Sequence, residues 1–205
     1  MLANDEKILE GDHRVVPRGH IDGAAFAEVV TSLRMFQDTL AGARLTDEDV
    51  RPVVDALRSA TTQLQARMVP DGEQDFSNRF DVACRGQSMT PWYDVLLMTR
   101  AELIAEVEFG RWFTGRVSAH GGAIPLLFDD LFGMLAGSDG RPPARTAYLN
   151  VEYKLPTPIE RRLRFEGTVV SEEGRKRLLR GAIYDGDALC AAAESLFVAV
   201  KGGAW

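Results

Sequence analysis

Two kinds of chemically capable residue meet in one short stretch, Ala119-His120-Gly121-Gly122-Ala123-Ile124-Pro125-Leu126-Leu127-Phe128-Asp129-Asp130-Leu131-Phe132. The first is a carboxylate set inside an apolar run. A buried carboxylate needs a partner or a task. Leu126 and Phe128 beside Asp129 predict enclosure in hydrocarbon, and enclosure makes a carboxylate more basic. Asp129 is the candidate nucleophile or general base; an acid paired with an arginine is the alternative. The second is a histidine followed by two glycines. Glycine lets a foreign group approach the backbone closely, and N–H groups at a helix start, with the dipole behind them, favour developing negative charge. Gly121 and Gly122 are the candidate electrostatic site, although a tight strand-to-helix turn also calls for glycine.

The element that must carry both is a helix. The run lacks strict alternation and reads as a buried helix over about 122–137, with Pro125 in its first turn and Gly137-Ser138-Asp139-Gly140 at its end. Asp129 follows Gly122 by seven residues, two turns along the same face and roughly 10 Å away. One small reacting group cannot touch both. A second copy of the helix running antiparallel would bring each carboxylate to the other chain's glycine turn, so the spacing predicts a symmetric dimer with two sites across its interface. Asp130 points about 100° around the helix and is expected to cap a basic group.

The flanking sequence supplies strands. Trp92–Met98 and residues 102–109 read as a hairpin, and four strands follow at about 145–154, 162–172, 176–185 and 188–199. Turns at Glu172-Glu173-Gly174-Arg175 and Asp185-Gly186-Asp187 join the last three. Strands, one buried helix and more strands indicate an α+β domain, an antiparallel sheet curled around the helix. Residues 71–90 read as loop with a short strand at 79–84. Upstream, Phe26, Val29, Val30, Leu33, Phe36 and Leu40 recur at helical spacing between Asp22 and Gly42. Val50, Val53, Val54, Leu57, Leu64 and Met68 form a second stripe. Thr46 and Asp49 resemble a capping pair, and Pro52 suggests a regular start near Arg51. The predicted organisation is a flexible tail over 1–20, a helical hairpin over 21–70 that packs on the main domain or serves as a lid or partner surface, and a catalytic domain over 71–205.

His-Gly-Gly, six residues, then Asp resembles the hotdog-fold acyl-CoA thioesterases of the phenylacetate-degradation type. Thr146-Ala147-Tyr148-Leu149-Asn150-Val151-Glu152-Tyr153-Lys154-Leu155-Pro156 is similar to that family's strand after the central helix. The resemblance spans about residues 90–200. It implies a hotdog fold and hydrolysis of an acyl-CoA to a carboxylic acid and free coenzyme A. It also implies Asp129 as the catalytic carboxylate, Gly121 as the oxyanion donor and Thr146 as holder of the attacking water. His120 would orient the substrate or the turn, or be a structural histidine tied to backbone. Thr114 stands where some relatives carry an asparagine, which removes a water-holding amide. Hydratases of this fold carry a histidine shortly after the acid; none follows Asp129.

Thioester hydrolysis also needs a grip on the thiol carrier. Residues 141–180 hold ten Lys or Arg against five Asp or Glu, on a chain of net charge −6. A basic zone on an acidic protein suits a small anionic ligand better than nucleic acid. Asn150, Lys154, Arg175, Lys176 and Arg177 are the candidate coenzyme A contacts, with Arg161 and Arg162 also at strand ends; arginine suits phosphate bidentately. Trp92, Trp112, Phe113, Phe128 and Phe132 are candidates to line an acyl site or to pack the core.

The 205 residues, 45% of them hydrophobic, suit one globular domain with an appendage. Cys84 and Cys190 fit no metal motif and no disulfide framework. The polar start shows no signal peptide, and Asp129 and Asp130 break the one long apolar run. A cytoplasmic homodimer or dimer of dimers is expected, with no membrane span and no nucleic acid. With no Walker loop, dinucleotide fingerprint or Gly-x-Ser-x-Gly elbow, no cofactor or metal is implied. The alternative function is a non-catalytic acyl-ligand-binding or scaffold hotdog protein that presents its N-terminal hairpin to a partner.

Overall fold

The structure, a computed structural model, describes residues 8–9 and 21–200. His13, His20 and most of the expected tail lie outside the described residues. The described chain forms two compact units: one holds residues 21–87, the other Ile8–Leu9 with residues 88–200.

In the first unit, helix α1 spans Gly23–Gly42 and is capped by Asp22, whose carboxylate accepts from the N–H groups of Ala24 at 3.0 Å and Ala25 at 3.3 Å. Helix α2 spans Asp47–Gln65. Its start lies ahead of the Arg51 expected from Pro52. Asp49 accepts from both the N–H and the hydroxyl of Thr46, at 2.8 and 2.7 Å, so the cap is closed before the proline is reached. Pro52 then costs only a donor to an exposed carbonyl. The strand expected over 79–84 is absent. Arg79, almost wholly buried, makes a bidentate pair with Asp81 at 2.8 and 2.7 Å, donates to the Ile21 carbonyl at 3.1 Å and stands over the Phe26 ring. This local charge pair folds the segment into turns, with a short 3₁₀ turn at Ala83–Gly86, and ties residues 71–87 to the helices.

In the second unit, Ile8–Leu9 form strand β1, the one part of the expected tail that is described. Then come β2 (Trp92–Met98), β3 (Glu102–Glu108), helix α3 (Ala123–Ala136), β4 (Ala144–Tyr153), β5 (Leu163–Glu173), β6 (Lys176–Asp185) and β7 (Ala188–Ala199). One sheet contains all seven strands in the order β1-β2-β3-β5-β6-β7-β4. The β1–β2 pair is parallel and every other neighbouring pair antiparallel. Gly174 and Gly186 turn the β5–β6 and β6–β7 hairpins at φ of 57° and 58°, values that favour glycine. The sheet is curled around one central helix, as the hairpin pattern predicts.

Leu127, Phe128, Leu131, Phe132 and Leu135 of α3 are fully buried. The rings of Phe128, Phe132 and Phe165 pack at centroid distances of 5.5–6.0 Å. The sheet makes room for them at Gly181: a Cβ there would stand 2.9 Å from the Phe132 ring and 2.7 Å from the Glu166 carbonyl. At the other end of α3, the Arg177 guanidinium donates to the carbonyls of Ala136 at 2.7 Å and Pro142 at 3.0 Å. Glu172 pairs with both Arg177 and Arg141. The helix is thereby fixed along its length and at its C-terminal end.

Candidate active site

The start of α3 is built from a tight hairpin. Thr114 pairs with Ala119, and the Gly115 N–H donates to the Ser118 carbonyl at 2.7 Å. His120 then donates its N–H to the Phe113 carbonyl at 2.7 Å and accepts at its own carbonyl from Ala123 at 2.9 Å. Nδ1 of His120 accepts from the Gly122 N–H at 3.0 Å, so that nitrogen is the unprotonated one. Gly122 is thus already committed as a donor. The Gly121 N–H has no acceptor among the described residues. Because a trans peptide opposes its N–H to its C=O, and the His120 carbonyl turns toward Ala123, the Gly121 N–H faces away from the helix start.

The two glycines differ in a second way. A Cβ on Gly122 would press on His120 Nδ1 at 3.2 Å, whereas one on Gly121 would meet only the Tyr153 ring at an ordinary 3.9 Å. The turn itself does not demand a glycine at 121. The missing side chain leaves space for something from outside the chain.

Asp129 lies one residue on from the enclosed Phe128 and is exposed. The hydrocarbon enclosure read from its sequence neighbours is therefore absent: adjacent helical residues point about 100° apart, so Phe128 packs inward while Asp129 faces out. The partner of Asp129 is not an arginine. Its Oδ1 accepts from the Thr146 hydroxyl at 2.7 Å. Thr146 is aimed by a break in β4: its register partner on β7 is Phe197, while Tyr148 pairs with the next residue, Leu196, leaving Ala147 as the extra residue of a bulge. Bulges re-aim side chains in this way. Asp130 turns elsewhere and accepts from the Tyr93 hydroxyl at 2.6 Å.

The structure therefore gathers the sequence candidates into two clusters: Asp129 with Thr146, and His120 with Gly121 and Gly122. They lie two turns apart along α3 and its start, and no described side chain bridges them. Sequence reasoning missed Tyr153, whose hydroxyl donates to the Gly121 carbonyl at 2.8 Å. Only its place in the strand segment after the helix singled it out.

The expected anion contacts divide. Arg177 is 2% exposed, and its guanidinium is spent on Ala136, Pro142 and Glu172. Burial pushes its pKa down, against the pull of Glu172. It is a buried anchor of α3 and not a phosphate contact. Lys154 pairs with Glu152, Arg161 with Asp185 and Arg162 with Glu108; Arg162 also lies 3.8 Å over the Trp92 ring. Pairing with carboxylates thus absorbs much of the basic zone. Asn150, Arg175 and Lys176 remain exposed, Arg175 with one donor on the Ala199 carbonyl at 2.9 Å. Phe128 and Phe132 belong to the core, and Trp112 is exposed. Among the described residues no cluster of three or more His, Cys, Asp or Glu can hold a metal ion, and no helix is long and apolar enough to cross a membrane.

No protein-family model matches the sequence, and no curated protein matches it. Solved structures do. A thioesterase superfamily protein superposes with a TM-score of 0.72 over 86% of this chain and 92% of its own, at 23% identity. Zebra fish thioesterase superfamily member 2 superposes with a TM-score of 0.50 over 53% of this chain and 81% of its own, at 17% identity. The likeness to the first extends beyond the sheet-and-helix unit.

Proposed function

We propose that this hotdog-fold chain is an acyl-CoA thioesterase acting as a homodimer or a dimer of dimers. The observation that carries the reading is the division of labour on α3. An exposed carboxylate is oriented by a threonine, and a glycine N–H with no acceptor stands at the helix start. In an antiparallel pair of protomers, Asp129 of one chain meets Gly121 of the other. Asp129 acts on the thioester carbonyl, either as nucleophile or by taking a proton from a water that Thr146 helps to hold. The carbonyl oxygen becomes negative and is met by the Gly121 N–H. The C–S bond then breaks, and coenzyme A leaves as thiolate and takes up a proton. In the general-base route the attacking water's oxygen stays with the acyl group, which departs as the carboxylic acid. In the nucleophilic route water hydrolyses the acyl–Asp129 anhydride to the same acid and free Asp129. A preorganised donor of this kind lowers the barrier by roughly 3 kcal/mol.

The protomer's own surface supports the pairing. Strand β4 is the edge of the sheet, and Thr146, Tyr148 and Asn150 on it are exposed. A long exposed edge is a template for another strand. Pairing there would give Asp129 the enclosure it lacks in the protomer. Asn150, Lys154, Arg175 and Lys176 are the proposed contacts to the coenzyme, and the names of the superposed proteins are consistent with thioester chemistry. A cytoplasmic location belongs to the same proposal, and the free cysteines Cys84 and Cys190 are consistent with a reducing compartment.

The test is turnover on acyl-CoA esters varied in chain length and aromaticity, with Asp129→Ala and Asp129→Asn beside the wild type. Both variants are expected to lose at least about a hundredfold in kcat with little change in KM. Wild-type turnover in Asp129→Ala, or full activity in a monomer, overturns the proposal.

One observation favours the alternative of a non-catalytic scaffold. Helix α2 buries none of its residues and exposes Val50, Leu57 and Leu64 on one stripe. Loss of a bound partner in a Leu57→Glu, Leu64→Glu variant, with no hydrolysis by the wild type on any ester, selects that reading.

A further inference from the structure

We infer that Tyr153 is a positioning residue for the oxyanion donor, clamping the Gly121–Gly122 peptide so that the Gly121 N–H holds one direction. The inference rests on the thioesterase reading above. Two adjacent glycines have the widest choice of backbone conformation of any dipeptide, and both are exposed. A donor on such a segment is useful for catalysis only if it is fixed before the charge develops.

Four hydrogen bonds fix it. Two are backbone bonds, His120 N–H to Phe113 and Ala123 N–H to His120; the nature of the side chains does not enter. The other two grip the Gly121–Gly122 peptide at its ends. His120 Nδ1 takes the Gly122 N–H at 3.0 Å, and the Tyr153 hydroxyl donates to the Gly121 carbonyl at 2.8 Å. Tyr153 is the one member that comes from a strand of the sheet. It stands at the end of β4, the strand whose Thr146 orients Asp129. One strand therefore sets both halves of the machinery, the acid through Thr146 and the glycine turn through Tyr153. At 57% exposed, Tyr153 is not a core residue, and its hydroxyl can be removed without emptying the interior.

The dimer gives this role a direction. Gly121 of one chain serves Asp129 of the other, so the clamp acts on the partner's acid. Tyr153→Phe keeps the ring and removes the donor. It is expected to lower kcat by roughly 10- to 100-fold, less than outright removal of an oxyanion donor, with KM and melting temperature unchanged and with the backbone amide signals of Gly121 and Gly122 shifted and broadened in NMR spectra. Mixed dimers of Tyr153→Phe chains with Asp129→Asn chains hold one site with an intact acid facing a clamped turn. Their activity should exceed that of either parent.

A Tyr153→Phe enzyme with kcat within about twofold of wild type, or mixed dimers no better than their parents, overturns the clamp while an inactive Asp129→Asn leaves the thioesterase reading standing. Wild-type protein without hydrolysis, combined with shifted glycine signals in Tyr153→Phe, defeats the thioesterase reading and leaves the clamp's geometry supported.

Discussion

The Thr146 hydroxyl donates to Oδ1 of Asp129 across 2.7 Å and seventeen residues of sequence. The bond requires the β4 bulge, because Ala147 has no place in the regular ladder with β7. It fixes one carboxylate oxygen and leaves the other for substrate or water. On the proposed function, Thr146→Ala should lower kcat by roughly tenfold, in keeping with the loss of a bond that orients the proposed catalytic carboxylate. Thr146→Ser, which keeps the hydroxyl, should recover most of it. Steady-state kinetics on the best acyl-CoA ester checks both; equal kcat in the alanine and serine variants would count against an orienting role.

Two glycines separate activity from stability. A Cβ at Gly121 meets nothing closer than 3.9 Å, so Gly121→Ala should fold and melt as the wild type does while turnover collapses, because the methyl occupies the approach to the N–H. Gly181→Ala should do the reverse. Its Cβ collides with the Glu166 carbonyl and the Phe132 ring, and overpacking of this kind costs roughly 1–3 kcal/mol. Thermal melts and turnover, measured on the same preparations, distinguish the two.

The cations of the β5–β6 turn also part company. Arg177→Met strips the bond from the Ala136 carbonyl and leaves Glu172 with less compensation. Leaving the buried Ala136 carbonyl without its donor costs roughly 1–3 kcal/mol, so the variant should melt lower. The double variant Arg175→Ala, Lys176→Ala should instead raise KM for acyl-CoA and leave the melting temperature nearly unchanged. A KM unaffected by the double change removes these two residues from the coenzyme site.

Acid stability should depend on Glu172. The Arg141 hydrogen bond, opposed in part by burial and assisted by the charges of Arg141 and Arg100, holds its carboxyl below the usual glutamate range. A folded-state pKa below the unfolded value of about 4.3 gives stabilisation that is complete above that value and is lost as pH falls through the folded pKa. Melting temperatures of wild type and Glu172→Gln should therefore differ most near neutrality and converge in acid below pH about 4. A constant gap at every pH would show that the charge on Glu172 does not contribute.

Much of the architecture was legible along the chain because it depends on local rules. Alternation and glycine turns marked β2 to β7 nearly to their ends, and an apolar run without strict alternation marked α3. Errors arose where one residue answers to a distant one. The strand read at 79–84 failed because Arg79 reaches Ile21 and Asp81. The helix start placed at Arg51 failed for a local reason, because the Thr46–Asp49 cap outweighs Pro52.

The sequence by itself determined which residue types are available and on which element each sits: an acid two turns along a helix from a pair of glycines. Periodicity and spacing are properties of neighbours, so one chain is enough to read them. Only the tertiary structure decided what those residues do. It turned Asp129 outward to Thr146, committed Gly122 to His120 while leaving the Gly121 N–H without an acceptor, brought Tyr153 onto the glycine turn, and buried Arg177 beneath the end of α3. The physical reason is that burial and hydrogen-bond partnership are set by strand order and by the sheet's curl around α3, which bring together residues far apart in sequence.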